Sequence, residues 1–93
     1  QMQGRESWTI SEPYPNPADK CTRMDIYVPG KTGAVVSGSV TTIEGTGVLR
    51  FKESLRAGSN TLMISLPGLA RGVYIVELVT PDGCRTTRKL LVD

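Results

Sequence analysis

The residues that could carry catalysis or bind a metal are few and scattered in this 93-residue chain. There is no histidine, which removes the usual general base at neutral pH and the commonest metal ligand. The two cysteines cannot make a structural zinc site on their own. The nine carboxylates are spread along the chain, and so small a domain offers little depth for a cleft around them. We therefore expect no enzymatic activity, no metal site and no cofactor.

The two cysteines, Cys21 and Cys84, lie too far apart in the sequence for any local metal or redox motif. In an oxidising compartment a bridge between them would close a long loop and stabilise the fold by about 4 kcal/mol. Two buried free thiols are the alternative. Because Cys21 precedes the first clear strand and Cys84 opens the last, the sequence favours a disulfide.

The charge balance gives little indication of a nucleic-acid partner. The formal net charge is +2, and eleven bases are interleaved with nine acids, whereas nucleic-acid binding needs a concentrated basic face. The densest basic cluster is Arg85, Arg88 and Lys89, which indicates either a solvated edge strand or a docking surface for an acidic partner. No run of apolar residues is long enough to span a membrane.

The elements that must position these residues are strands. Apolar residues alternate with polar ones nearly everywhere, and glycine- or proline-containing turns separate the runs at intervals of roughly ten residues. We predict six strands and a seventh near Trp8, arranged as a two-layer antiparallel β-sandwich of the immunoglobulin-like type. Residues 1–12 would be an extension or linker that holds the short first strand, and residues 13–93 the sandwich domain.

The sequence also predicts the conformation of the proline-rich segment and the residues of the core. Residues 13–17 hold three prolines, so they should be extended and make no regular ladder. The inward-facing positions of the strands should form one core between the layers. The predicted core residues are Ile26, Val28, Val36, Val40, Leu49, Phe51, Leu62, Ile64, Leu69, Tyr74, Val76, Leu78, Leu90 and Val92.

Three short motifs stand in order along the chain. The first is Tyr14-Pro15-Asn16-Pro17, and the second runs from Gly58 and Asn60 to Leu69-Ala70-Arg71-Gly72-Val73-Tyr74. The third is Gly83 followed by a strand that ends in Arg88-Lys89-Leu90-Leu91-Val92. In order, spacing and position, the set resembles the type A C-terminal sorting domain of the bacterial type IX secretion system, over residues 12–93.

The resemblance implies a non-enzymatic recognition domain that directs export through the outer-membrane translocon. It implies as partners that translocon and its associated surface peptidase, shuttle or sensor proteins. It places the protein in the periplasm during transit and then at the outer membrane or cell surface. If the domain stood alone, it would instead be a component or signalling protein of the secretion system.

The resemblance also suggests a role for each motif. The residues expected to contact a partner are Tyr14, Pro15, Asn16, Pro17, Arg88, Lys89, Leu90, Leu91 and Val92. The residues expected to serve the fold are Gly58, Asn60, Leu69, Gly72, Tyr74 and Gly83. We expect the last strand to offer a free backbone edge for pairing, so that deleting its last two or three residues abolishes export but leaves the domain soluble. Edge strands could also support a dimer.

A generic extracellular interaction module, either adhesin-like or carbohydrate-binding, is the alternative function. Sugar-binding sandwiches present aromatic platforms, and Trp8 and Tyr27 are the aromatic residues that could be exposed. In so small a domain such residues more often cover the end of a sheet.

Overall fold

A computed structural model describes residues 7–93, which form seven strands and no helix that could cross a membrane. The strands are β1 (Thr9–Ile10), β2 (Cys21–Val28), β3 (Ala34–Thr42), β4 (Gly47–Leu55), β5 (Gly58–Ser65), β6 (Gly72–Val79) and β7 (Arg85–Val92). The short strand predicted near Trp8 is β1. The first half of the predicted extension, residues 1–6, lies outside the described residues.

The strands pair into two antiparallel sheets. Sheet A has the order β1-β2-β5, and sheet B has the order β4-β3-β6-β7. The two sheets share one hydrophobic core, so each hides its apolar face against the other. This arrangement confirms the prediction of an all-β, two-layer antiparallel sandwich with about seven strands.

The core follows the alternation of the sequence. Fully buried side chains point inward from every long strand except β4, where only the last residue, Leu55, is buried. Each such aliphatic side chain contributes roughly 1.5–3 kcal/mol of hydrophobic stabilisation. All but three of the predicted core residues are buried. The exceptions are Leu49, Phe51 and Leu69, which are half-buried and pack against the core margin.

The three exceptions lie outside the central strands of the sandwich. Leu49 and Phe51 lie on β4, an edge strand with a neighbour on only one side, and Leu69 lies in the connection to β6. Four residues of the hydrophobic core were not predicted: Ala18, Met24, Leu55 and Leu66. Ala18 and Leu66 fall outside the strands, where the period of two carries no information.

Gly38 allows Phe51 of β4 to pack against the edge of the core. It lies opposite Phe51 in the β3–β4 ladder, on the inner face of the sheet. The Phe51 ring occupies the space that a Cβ atom at Gly38 would fill. An aromatic side chain therefore covers the gap left by a glycine in the neighbouring strand, which stabilises an otherwise weak strand position.

Candidate functional site

The proline-rich segment connects the edges of the two sheets. Tyr14 forms a bridge with Arg23 of β2, and Ala18 forms a parallel bridge with Val92 of β7. The peptide bonds that precede Pro15 and Pro17 are both cis. The segment therefore leaves sheet A at Tyr14 and reaches β7, the last strand of sheet B, at Ala18.

The Asn16 side chain forms hydrogen bonds with the outer backbone edge of β7. Its side-chain amide donates a hydrogen bond to the Lys89 carbonyl at 3.1 Å, and its side-chain oxygen accepts one from the Leu91 N–H at 2.9 Å. A single side chain thus pairs with two backbone groups of β7, much as the backbone of an adjacent strand would.

Ala18 completes this capping of β7. Its N–H donates to the Leu91 carbonyl at 2.7 Å, and its own carbonyl accepts from the Asp93 N–H at 2.8 Å. Together with the Asn16 contacts, four backbone groups between Lys89 and Asp93 are already paired. The expectation of a free backbone edge is therefore wrong for the C-terminal half of β7.

We predict that Asn16→Ala weakens this capping measurably. The variant loses both hydrogen bonds to β7, and since the released groups can reach water, the free energy of unfolding should fall by about 1–2 kcal/mol. Asn16→Asp keeps the acceptor for the Leu91 N–H but lacks the donor, so its loss should be smaller. Urea unfolding measures both effects. Hydrogen exchange at the Leu91 amide gives the local test, and an unchanged exchange rate in Asn16→Ala would contradict the assignment.

Tyr14 attaches the other end of the segment to sheet A. Its hydroxyl donates to a carboxylate oxygen of Asp25 at 2.7 Å, and the Thr61 hydroxyl donates to the same oxygen at 3.1 Å. The hydrogen bond to Asp25, followed by burial and the charge of that carboxylate, raises the pKa of Tyr14 above its ordinary value. The Tyr14 side chain remains 40% exposed, so it is held in place and still accessible.

The two adjacent bases of β7 point to different environments. The Arg88 guanidinium reaches inward and donates to the Ile10 carbonyl of β1 at 2.9 Å. Its Nε atom is buried and lies 3.2 Å from the Glu12 carboxylate, an ion pair without hydrogen-bond geometry. Lys89 is exposed on the outer face of sheet B. Arg88 therefore joins β7 to β1, and Lys89 is the base that a partner can reach.

These contacts bring the first and last motifs of the sequence together on one surface. Leu90 and Val92 point into the core and are 0% and 3% exposed, so a partner cannot contact them in the folded domain. We call the accessible remainder the proline–strand surface. It consists of Tyr14, Pro15, Asn16, Pro17, Lys89 and Leu91, all of which are exposed.

The residues of the middle motif hold turns and strand ends in place. The Asn60 side chain spans the β4–β5 turn, where its amide donates to the Arg56 and Gly58 carbonyls at 2.8 and 3.1 Å. Gly58 has a φ of 95°, a conformation that favours glycine. The Tyr74 hydroxyl donates to the Ala70 carbonyl at 2.6 Å, which fixes the start of β6. Leu69 packs beside this corner.

The other two structural positions border the last strand. Gly72 pairs with Val92 at one end of the β6–β7 hairpin, and Gly83 forms the turn at the other end with a φ of 90°. The middle and final motifs thus build the hairpin whose second strand carries part of the proline–strand surface.

A family model for the secretion system C-terminal sorting domain matches residues 12–93. The chain belongs to this family. The resemblance to the type IX sorting domain is thereby confirmed, and the domain is a signal that directs the export of its protein by type IX secretion. A comparison with curated proteins finds no match.

The sorting domain does not contain the disulfide that its sequence favours. Both cysteines are free thiols. Cys21 is the first residue of β2 and closely follows Ala18, which pairs with Val92 at the C-terminal end of β7. Cys84 immediately precedes the N-terminal end of this eight-residue strand. An extended strand of that length separates them by roughly 25 Å, far more than the distance of about 6 Å that a disulfide spans.

The aromatic residues considered for sugar binding have structural contacts in the sorting domain. Trp8 is half-buried and packs against the hydrophobic core. Tyr27 is also half-buried, on β2 opposite Thr9 of β1. Neither forms an open aromatic platform.

The sequence does not predict the role of Ala18, which is buried beneath this surface. Ala18 has no side-chain chemistry and follows a proline, so neither its type nor its period indicates a role. Its backbone nevertheless makes two of the four hydrogen bonds that cap β7. Only the spatial path of the proline-rich segment reveals it.

Proposed function

We propose that the outer-membrane translocon of type IX secretion, with its shuttle proteins, recognises the proline–strand surface without any chemical reaction by the domain. The observation that supports this proposal is the hydrogen bonding of Asn16 to Lys89 and Leu91, which joins the opening and closing family motifs. The domain would pass through the periplasm and then stay at the outer membrane or cell surface until a surface peptidase acts.

Recognition would rely on side chains. Since the backbone of the C-terminal half of β7 is already paired, a partner cannot simply add a strand there. Lys89 offers a charge that can orient the partner, and Tyr14 and Leu91 offer exposed apolar area, at 40% and 38% exposure. Lys89 and Leu91 point outward from sheet B, Tyr14 lies against Asp25 of sheet A, and the exposed prolines connect the two.

This surface would report that folding is complete. Asn16 lies near the beginning of the described chain and β7 at its end, so the surface forms only after both sheets have assembled. A translocon that reads it would therefore accept folded domains and reject unfolded ones.

Export of a reporter fused to the domain tests the proposal. In a bacterium with a type IX system, Lys89→Glu combined with Leu91→Glu should lower export by about tenfold or more, because a charge is reversed and an apolar contact is lost. The matched control is Lys20→Glu combined with Met63→Glu, which changes an exposed base and an exposed apolar residue elsewhere.

The control should be exported as the unmodified domain is, and both double variants should unfold at nearly the same temperature. Unimpaired export of the Lys89 and Leu91 variant would overturn the proposal. Equal loss in both variants would show that export depends on general surface charge and not on this surface.

A further inference from the structure

The outer face of sheet B carries bases on both of its edge strands. Side chains that point away from the core include Arg50 and Lys52 on β4, and Arg85 and Lys89 on β7. The single acid on this face is Glu77 of β6, within the described strands. We call this surface the basic face.

Most of this positive charge has no ion-pair partner among residues 7–93. Arg85 lies 3.5 Å from Glu77, which compensates one base. In the described part of the chain, Arg50, Lys52 and Lys89 have no carboxylate within ion-pair distance. The outer face of sheet A carries no such excess of positive charge. The charged residues on the outward positions of β2 and β5 are Arg23 and Asp25, whose charges cancel.

Apart from Glu77, the floor between the two rows of bases is made of small or apolar side chains. The registers place Ser37 beside Val79 and Thr41 beside Ile75, whereas Ser39 lies beside Glu77 and Val73 lies beyond the last pair with β3. The hydroxyl residues are Ser37, Ser39 and Thr41, and the apolar residues are Val73, Ile75 and Val79; all six are half-buried. Leu91 of β7 extends the apolar floor and is 38% exposed. A long shallow trough with charged walls results.

We propose that the basic face binds an acidic amphipathic polypeptide segment laid along β3 and β6. The edge strands β4 and β7 are three strand spacings apart, about 14 Å, which accommodates one α-helix of about 10–12 Å diameter. Carboxylates on both flanks of the helix would meet the bases, and its apolar stripe would cover Val73, Ile75 and Leu91. A purely charged polymer would leave this apolar floor unused.

This second surface stands apart from the translocon contact proposed above. Lys89 and Leu91 lie where the basic face meets the proline–strand surface, but Arg50 and Lys52 lie on the far edge of sheet B. Variants of Arg50 and Lys52 therefore change the basic face alone.

Fluorescence anisotropy with a designed peptide tests the proposal on the intact domain. The probe is a labelled amphipathic helix of about 18 residues, roughly 27 Å long, with leucines on one face and glutamates on both flanks. This length matches the eight-residue strand β6, roughly 26 Å. Arg50→Glu combined with Lys52→Glu should weaken binding by about tenfold or more. The matched control, Lys20→Glu with Lys31→Glu, has the same net charge and should bind as the unmodified domain does.

Three results would overturn the proposal. The first is no binding of the peptide by the unmodified domain. The second is equal loss in the two double variants, which would indicate net charge alone. The third is binding of a scrambled peptide, heparin or single-stranded DNA as tightly as the amphipathic helix, which would make the face a site for any polyanion.

Discussion

Removal of residues 91–93 is expected to lower the free energy of unfolding by about 4–6 kcal/mol. The deletion takes away the buried side chain of Val92, which contributes roughly 1.5–3 kcal/mol. It also removes both backbone hydrogen bonds to Ala18 and the last pairs with β6, each contributing about 0.5–1.5 kcal/mol. For a domain of 93 residues, whose total stability is about 5–14 kcal/mol, this is a large share.

Urea unfolding of the purified domain measures this effect. Leu91→Glu with Lys89→Glu is the matched control, since it alters the same strand while it keeps Val92 and the backbone contacts of Ala18. The control should lose less than about 1 kcal/mol. A deletion variant as stable as the control would show that the end of β7 contributes little to the fold.

This prediction changes how an export defect should be interpreted. The sequence alone suggested that a short C-terminal deletion would leave the domain soluble and remove only a docking strand. In the structure the same residues seal the core and anchor the proline-rich segment. Loss of export by a truncated domain would therefore reflect weakened folding as well as any lost recognition, and only the surface variants separate the two.

The alternation of apolar residues was enough to predict the layers and most of the core. Buried positions such as Ile26, Val76 and Leu78 repeat with the period of a strand, and that period carries most of the fold. The edge position of β4 could not be predicted this way, because strand order depends on pairing between distant segments. Leu49 and Phe51 accordingly look like core residues in the sequence and are half-buried in the fold.

The candidate surface was predictable in its motifs and not in its geometry. The sequence identified residues 14–17 and the final strand as two separate features. Nothing in their types shows that the Asn16 side chain pairs with the backbone of β7. The prediction of a disulfide was wrong for a related reason. Proximity to strand ends in the sequence does not show at which end of the sandwich each cysteine lies.

The adjacent bases Arg88 and Lys89 show most clearly what cannot be predicted from the sequence alone. Both belong to the same motif, and alternation along a strand sends their side chains to opposite faces. On β7 the inward face at this position meets β1, where the Ile10 carbonyl accepts from the Arg88 guanidinium. Two residues with nearly the same chemistry therefore have different roles.

Arg88→Ala is expected to lower the free energy of unfolding by about 2–3 kcal/mol, and Lys89→Ala by less than about 0.5 kcal/mol. The Arg88 side chain is only 27% exposed, and its loss leaves the Ile10 carbonyl without its charged donor. Lys89 is exposed, so its truncation removes little that the fold uses. Urea unfolding of the two variants measures the difference directly.

Glu12→Ala separates the ion pair of Arg88 with Glu12 from its hydrogen bond to Ile10. The Glu12 side chain is 76% exposed, so its ion pair with Arg88 should contribute less than about 1 kcal/mol. Most of the effect of Arg88→Ala should therefore remain in a Glu12→Ala background. If Glu12→Ala alone destabilised the domain as much as Arg88→Ala, the ion pair, and not the hydrogen bond to Ile10, would hold β7 against β1. Equal stability of the Arg88→Ala and Lys89→Ala variants would contradict the distinction between the two bases, and both would then be available to a partner.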